Sequence, residues 1–247
     1  MFLRVSTMNF SRILLLNALG VLLITSWWVP YFTFWSTLDD AVFWWFNQTI
    51  GDDHLRWTEI LAALNSRRYD IFTILCMLGI MGWASYRDRQ GGWRRWFGIG
   101  VTMLITAGLI SEMVRHVITY GHPSPTVTFD EVNLTSSFVE FVTKDQAGNS
   151  FPGDHGIMSM IFAGFMLTFG DRLTRLASIA LTLLAIVPRI MVGAHWLSDV
   201  LVGSLSICLL LLPWVLCTPL ASRMSASVTA GLKRLESSLP LNKSNRS

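Results

Sequence analysis

Two histidines and an aspartate in the second half of the chain have types and spacing suited to nucleophilic catalysis. His195 and Asp199 lie four residues apart, so on a helix their side chains would face the same way. A carboxylate that holds one imidazole nitrogen fixes the tautomer and leaves the other nitrogen free to attack. His155 could protonate a leaving oxygen. The pattern predicts His195 as nucleophile, Asp199 as its orienting carboxylate and His155 as general acid.

Basic residues and a glycine near these positions indicate which group is transferred. Arg189 lies just before His195, and Arg115 lies near the end of an earlier apolar run. A guanidinium binds phosphate oxygens in pairs and keeps its charge. Gly153 stands at a turn into a predicted helix, where backbone N–H groups can approach an anion. Positioning and charge stabilisation dominate phosphoryl transfer, and these residues together predict that chemistry.

Each of these residues also has a simpler interpretation. A lone histidine at a membrane surface is more often structural, and a His–Asp pair can merely brace a helix. Arg189 could be an interfacial anchor. Zinc ligation by His155, His195 and Asp199 is another alternative, although neighbouring arginines would repel a cation, and no metal or cofactor is expected. Several ionisable residues at one membrane depth argue more strongly for function than any one of them does.

The elements that must position these residues are membrane-spanning helices. Hydrophobic residues make up 52% of the 247 positions and charged residues only 14%, whereas soluble domains carry about a quarter charged residues. The apolar residues form long runs without the polar face of a soluble helix, and about 20 such residues cross a bilayer. We therefore predict an all-α, polytopic membrane protein with six transmembrane helices, near residues 13–29, 71–86, 93–120, 156–169, 173–193 and 196–217.

The distribution of charge predicts the orientation of these spans. Six spans place both termini on one side, and that side then carries 13 of the 19 basic residues and only three of the 16 acidic residues. By the positive-inside rule both termini are cytoplasmic. The predicted site then faces the opposite side of the membrane. The formal charge of +3 is mild and indicates no nucleic-acid partner, so membrane lipids are the expected partners.

Segments outside the predicted spans complete the organisation. Residues 41–50 are apolar and aromatic but too short to span, which predicts a helix lying in the interface or a packed re-entrant segment. Residues 121–154 form a long polar loop of the kind that carries functional sites. We predict one six-span domain over residues 1–220, with the first span uncleaved, and a partly disordered cytoplasmic tail over residues 221–247. The three cysteines lie in or beside apolar runs and are interpreted as packing residues.

The candidate residues match motifs of the type 2 phosphatidic acid phosphatase superfamily, which are Lys-x6-Arg-Pro, Pro-Ser-Gly-His and Ser-Arg-x5-His-x3-Asp. Residues 189–199 fit the third motif, with Pro188 in place of its serine. Residues 152–155, Pro-Gly-Asp-His, keep the proline and histidine of the second. Residues 115–123 give Arg-x6-His-Pro for the first, with both basic positions changed in type. The resemblance implies the six-span helical bundle of this family.

The departures from the general motifs resemble one branch of the family, the lipid A 1-diphosphate synthases (Kdo2-lipid A phosphotransferases) of Gram-negative bacteria. This resemblance covers nearly the whole chain. It implies transfer of phosphate from undecaprenyl diphosphate to the 1-phosphate of lipid A, through a phosphohistidine on His195 and without metal. It also implies an inner-membrane location with a periplasmic site. His122 would stand where the family usually has an arginine that binds phosphate, and Lys144 and Asp154 would contact the diphosphate or the acceptor.

Two other functions remain open at this stage. A hydrolase acting on undecaprenyl diphosphate or another lipid phosphate would use the same catalytic residues with water as acceptor. A non-catalytic lipid-binding or transport protein would need the basic residues but neither histidine. The presence of both histidines and Asp199 favours an enzyme, and the departures from Pro-Ser-Gly-His favour the transferase.

Overall fold

The computed structural model describes residues 8–29 and 31–238, and every regular element in these ranges is helical. Two 3₁₀ turns, Asp52–His54 and Thr135–Ser137, lie between the helices. The helix that follows Ser198 begins with a π-helical segment, Asp199–Ser204, and continues as α9. The α-helices are α1 Phe10–Trp28, α2 Phe34–Asn47, α3 Leu55–Leu64, α4 Arg67–Arg87, α5 Gly92–Val117, α6 Pro125–Thr128, α7 Asp154–Phe169, α8 Arg172–Met191, α9 Leu205–Leu216 and α10 Leu220–Ser238.

The all-helical membrane class is confirmed, whereas the count of six spans remains a prediction. Five helical segments are long and apolar enough to cross a membrane: Phe10–Trp28, Arg67–Arg87, Gly92–Val117, Arg172–Met191 and Asp199–Leu216. The remaining predicted span corresponds to α7, which has 16 residues. A helix of that length rises about 24 Å, against a hydrocarbon core of about 30 Å. α7 is therefore a short apolar helix that lies inside the bundle.

The position of α7 explains why it is apolar on every side. It packs against α5, α8 and α9, and Phe162, Phe165 and Met166 are almost completely buried in the main core cluster. A helix with an apolar surface all round is one that other helices surround. His155 is the second residue of α7, so the central helix of the bundle positions it.

Contacts between helix ends define two ends of the bundle. At one end, Arg189 near the end of α8 pairs with Asp70 near the start of α4. At the other, Arg87 at the end of α4 lies 3.2 Å from Asp171, which caps the start of α8. α4 and α8 are therefore antiparallel. The predicted catalytic residues all lie at the first of these ends, which we call the site end.

Two prolines inside helices leave carbonyl groups without their usual partner, and neighbouring helices supply replacements. Pro188 has no N–H for the carbonyl of Leu184, and that carbonyl accepts a hydrogen bond from the Tyr69 hydroxyl at 3.1 Å. In α9, the Asn17 side chain donates to the carbonyl of Leu209, four residues before Pro213, at 2.9 Å. These bonds tie α8 to α4 and α9 to α1.

The segments outside the spans differ in part from the prediction. The apolar stretch 41–50 belongs to α2, which begins earlier, at Phe34, and a further helix, α3, follows it. Within the predicted tail, Leu220–Ser238 form α10, which packs along α5, and Arg94 of α5 pairs with Glu236 at 2.8 Å. The described part of the tail is therefore a helix that packs against the bundle. Residues 239–247, for which disorder is predicted, lie outside the described residues, and the domain boundary at residue 220 remains a prediction.

Candidate active site

The tight turn after α8 places His195 beside the start of α7. Gly193 in this turn has φ +74°, a backbone conformation that disfavours side chains. A Cβ at this position would lie 2.6 Å from the Phe43 ring and 2.8 Å from the Thr126 methyl group. The N–H groups of Ala194 and His195 both donate to the carbonyl of Arg189. Glycine therefore permits the close turn that carries His195 back toward the bundle.

The two histidines face each other across a narrow gap. One ring nitrogen of His155, one of His195 and a carboxylate oxygen of Asp154 all lie within 4.8 Å of one another. His195 is 9% exposed, and its Nδ1 lies 2.9 Å from the carbonyl oxygen of Ser150. A carbonyl oxygen only accepts, so Nδ1 carries the hydrogen and Nε2 holds the free lone pair. The arrangement suits a nucleophile and a proton donor that act on one group between them.

Asp199 contacts His195 by a different route from the one expected. His195 lies before the helix, whose helical residues start at Leu197 and whose π-helical segment starts at Asp199, so the expectation of one shared helical face is wrong. The two side chains still approach, with Asp199 Oδ2 3.5 Å from His195 Nδ1. The fully buried carboxylate also accepts the backbone N–H of Trp196 at 2.8 Å and lies 3.0 Å from Nδ1 of His122. The buried carboxylate of Asp199 therefore contacts two histidines, His195 and His122.

His122, expected to bind phosphate, lies within an aromatic cluster next to Asp199. Its ring lies about 6 Å from each of the rings of Trp27, Tyr120, Phe151 and Trp196. The Trp27 and Phe151 rings are stacked at 4.9 Å. The contact that the structure gives to Nδ1 of His122 is with the carboxylate of Asp199. This placement indicates that His122 holds Asp199, and phosphate binding by His122 remains a prediction.

Asp70 joins three of the predicted site residues, and the sequence interpretation missed it. Its carboxylate pairs with Arg189, lies 2.8 Å from Nζ of Lys144 and 3.5 Å from Nε2 of His155. Arg189 is 5% exposed, so its charge is nearly buried. The predicted span began one residue later, at Ile71, which assigned Asp70 to a loop. The signal was nevertheless present, because Asp70 is an ionisable residue at the edge of an apolar run.

Phosphate binding by two further residues, Arg115 and Gly153, stays a prediction. Arg115 lies at the end of α5, where its side chain is 72% exposed and pairs with Glu112. In the described part of the chain it makes no ion pair with the residues around His195. The N–H of Gly153 donates to the carbonyl of Asp199 at 3.2 Å, so a neighbouring main chain already occupies it. A Cβ on Gly153 would lie 3.1 Å from Ser204 Oγ, which indicates that close helix packing is what requires the small residue here.

A second buried carboxylate supports the turn and was also missed. Asp39 of α2 accepts hydrogen bonds from the backbone N–H and the hydroxyl of Ser198, at 2.8 and 2.5 Å. Ser198 is the residue before Asp199, so α2 fixes the start of the last spanning segment. Burial raises the pKa of the Asp39 carboxyl to about 6. Asp39 lies in a short aromatic segment outside the predicted spans, so nothing in the sequence indicates that it is buried.

An apolar cavity of about 480 Å³ extends from His155 between α4, α5, α7 and α8. Asp70, Asp154, His155 and Arg189 line its polar end, and methionine, leucine and isoleucine side chains line the rest. A second apolar groove of about 470 Å³ lies between α1, α5 and α9 and contains Trp27, Tyr120 and Phe151. A polar, charged end on an apolar cavity fits a molecule with a charged head and a hydrocarbon chain.

The residues could also be considered as metal ligands. The zinc alternative named His155, His195 and Asp199, but the trio within ligand spacing has Asp154 in place of Asp199. Nδ1 of His155 already lies 2.6 Å from Asp154 Oδ1, and Nδ1 of His195 points to a carbonyl oxygen. The nearby guanidinium of Arg189 adds positive charge. The donor set therefore fits an anion between the histidines better than a cation.

Comparisons with known proteins identify the family of this chain. A model of the PAP2 superfamily matches residues 96–223, which include His155, Arg189, His195 and Asp199. The chain is 36% identical over 218 residues to the lipid A 1-diphosphate synthase of Escherichia coli (strain K12), an alignment that covers 87% of this chain and 91% of that protein. No solved structure matches. The match to the family model, together with 36% identity over most of both chains, shows that this membrane protein is an enzyme of the PAP2 superfamily.

Proposed function

We propose that the enzyme transfers a phosphate from undecaprenyl diphosphate to the 1-phosphate of lipid A through a phosphohistidine on His195. The observation that carries the proposal is the short separation between ring nitrogens of His155 and His195, together with the position of His155 at the polar end of an apolar cavity. The similarity to a lipid A 1-diphosphate synthase supports the acceptor and product. A lipid diphosphate suits the donor role because it combines an anionic head with a hydrocarbon chain.

In the first step, Nε2 of His195 attacks the terminal phosphorus of the donor. The N–P bond forms, and the bridging P–O bond breaks, so that undecaprenyl phosphate leaves with the electron pair. Nδ1 keeps its hydrogen on the carbonyl of Ser150, and the phosphorylated ring is cationic. The buried carboxylate of Asp199, 3.5 Å away, stabilises that charge.

In the second step, an oxygen of the acceptor phosphate attacks the phosphorus, and the N–P bond breaks. A new P–O–P linkage forms, and His195 returns to its starting state. Arg189 and Lys144 supply positive charge at the same place, where they now share the carboxylate of Asp70. Phosphate oxygens can replace that carboxylate, because guanidinium and ammonium groups bind both kinds of anion.

We place the enzyme in the bacterial inner membrane, with both termini in the cytoplasm and the site end at the periplasmic surface. Basic residues are concentrated at the other end of the bundle, where Arg87, Arg94 and Arg95 lie close to the end of α4 or the start of α5. The positive-inside rule assigns that end to the cytoplasm. The site end then faces the periplasm and its lipids.

The test is a reconstituted assay with undecaprenyl diphosphate that carries a radiolabel on its terminal phosphate, with and without lipid A. The proposal expects label on lipid A only when lipid A is present, and no labelled product from His195→Ala. Release of free phosphate alone, whatever the acceptor, would show a phosphatase with the same catalytic residues and would overturn the transferase. Turnover by His195→Ala at the wild-type rate would overturn the phosphohistidine.

A further inference from the structure

The second apolar groove, which lies between α1, α5 and α9, reaches the segment that holds the nucleophile. It has a volume of about 470 Å³, and its lining includes Trp27, Tyr120 and Phe151. The rings of Trp27 and Phe151 stack at 4.9 Å. Phe151 directly follows Ser150, whose carbonyl oxygen lies 2.9 Å from Nδ1 of His195. The groove therefore reaches a residue next to a direct contact of His195.

The groove and the cavity reach opposite ends of one short segment. Phe151 lines the groove, and His155, four residues later, lines the polar end of the cavity. α5 contributes to both spaces, with Leu104 in the cavity and Val117 in the groove. Val117 is 70% exposed and Leu104 is 69% exposed, so both spaces open toward the membrane. A lipid chain can therefore enter either space sideways from the bilayer.

The two spaces differ in charge, and this difference assigns the donor to the cavity. Asp70, Asp154, His155 and Arg189 line the cavity, whereas none of the described residues that line the groove is charged. Under the proposed function, His155 as general acid faces the oxygen that leaves with the donor lipid, so the donor chain starts beside His155. An uncharged groove fits a hydrocarbon chain whose phosphate head lies elsewhere.

The proposed reaction needs places for two lipids. The attacking and leaving groups of a phosphoryl transfer lie roughly in line, so the oxygen partner lies opposite Nε2 of His195 in both steps. The leaving oxygen of the donor and the attacking oxygen of the acceptor therefore occupy the same position in turn. If the chains also shared the cavity, the acceptor could bind only after the donor lipid had moved out of it. A separate groove for the acceptor chain removes that conflict.

We propose that the second groove holds a hydrocarbon chain of the acceptor lipid while the cavity holds the chain of the donor. This inference rests on the proposed function and names the binding place of its second substrate. The acceptor chain packs between α1, α5 and α9, and the stacked rings of Trp27 and Phe151 lie where the chain turns toward its phosphate head. The acceptor is then in place when the donor lipid leaves.

The test varies the two lipids separately for the purified full chain in detergent micelles, with the label on the terminal phosphate of undecaprenyl diphosphate. Val117→Trp fills part of the groove, and Leu104→Trp, on the same helix and equally exposed, fills part of the cavity. Initial rates of lipid A labelling give the KM for each lipid while the other is saturating. A KM does not depend on how much of a variant is folded, so loss of folded protein alone leaves it unchanged.

Val117→Trp should raise the KM for lipid A about fivefold or more and leave the KM for the donor unchanged. Fivefold corresponds to about 1 kcal/mol, the lower end of what extra bulk costs at a packed site. Leu104→Trp should raise only the KM for the donor. In a single turnover without lipid A, Val117→Trp should be labelled on His195 at the wild-type rate. If Val117→Trp does not fold, Met113→Trp in the same groove replaces it.

An unchanged KM for lipid A in the groove variant overturns the inference, since the groove then holds only bulk membrane lipid. An equal rise in both KM values for either variant also overturns it, since the two lipids then do not use separate spaces. Wild-type enzyme that forms the labelled phosphoprotein but never labels lipid A would defeat the proposed function instead, and that result is seen before any variant is tested.

Discussion

Replacement of Asp199 by Asn tests the proposed stabilisation of a phosphohistidine on His195. The carboxylate lies 3.5 Å from Nδ1 of His195 and is fully buried. At that distance, with an effective dielectric constant of about 20, two unit charges interact by roughly 5 kcal/mol. The phosphorylated imidazole is cationic, and the neutral amide loses this stabilisation. Since about 1.4 kcal/mol corresponds to a factor of ten, phosphoenzyme formation should slow by about 10³-fold.

The same change also affects folding, so the assay must separate the two effects. Asp199 accepts from Trp196 N–H and lies 3.0 Å from Nδ1 of His122, and the amide of Asn would turn an N–H₂ group toward one of these donors. One unsatisfied buried donor costs about 1–3 kcal/mol of unfolding free energy. Thermal unfolding in detergent measures this loss.

Single-turnover quenched flow with labelled donor measures the rate at which acid-labile label appears on the folded protein. The matched variant is His122→Phe, which removes one partner of the carboxylate but leaves its charge beside His195. It should slow labelling far less than Asp199→Asn does. If folded Asp199→Asn is labelled at the wild-type rate, the carboxylate does not stabilise the phosphohistidine and the reasoning is refuted.

Three further outcomes are expected. Gly193→Ala should destabilise the protein by about 2–5 kcal/mol, because the backbone there is left-handed and a Cβ would be too close to Phe43 and Thr126. It should also reduce activity at temperatures where the variant stays folded. Gly121→Ala is the control in the same thermal unfolding scan, because a Cβ there would have no neighbour within 4 Å. The free energy of unfolding of the wild type should fall by at most about 3 kcal/mol as pH rises from about 4 to 6, because the folded state keeps the proton of Asp39 up to a pKa of about 6. This dependence on pH should disappear in Asp39→Asn. If the variant keeps it, another group is responsible. EDTA should leave transfer intact, and loss restored by zinc would favour a metal at the Asp154, His155 and His195 trio.

The sequence was most informative about the positions of the helices. Long apolar runs must be helices in a bilayer because the backbone has no water to bond to. All six predicted segments accordingly correspond to helical segments whose ends differ by a few residues. Composition also marked His155, Arg189, His195 and Asp199 as costly residues near one surface. The structure brings these four residues to the same end of the bundle.

What the sequence could not supply was the pairing between helices. Asp70 pairs with Arg189 because of the way α4 packs beside α8. Residue spacing within one helix does not predict which residues of another helix lie next to it. The contact between His122 and Asp199 likewise joins a loop to a helix that lies far along the chain. For Arg115 the motif position predicts a phosphate ligand, and the spacing could not show that its exposed side chain pairs with Glu112.

The placement of Asp70 gives the resting site a definite electrostatic character. Arg189 is almost buried, and a buried guanidinium without a partner would be strongly destabilising. Asp70 neutralises it, and Lys144 leaves the three side chains with one net positive charge. The two cations are already assembled before a phosphate enters, because both pair with the Asp70 carboxylate. An incoming phosphate can replace that carboxylate as their anionic partner. The fold can therefore keep Arg189 at the polar end of an apolar cavity with Lys144 close to it, and under the proposed function the donor phosphate would meet groups already in position.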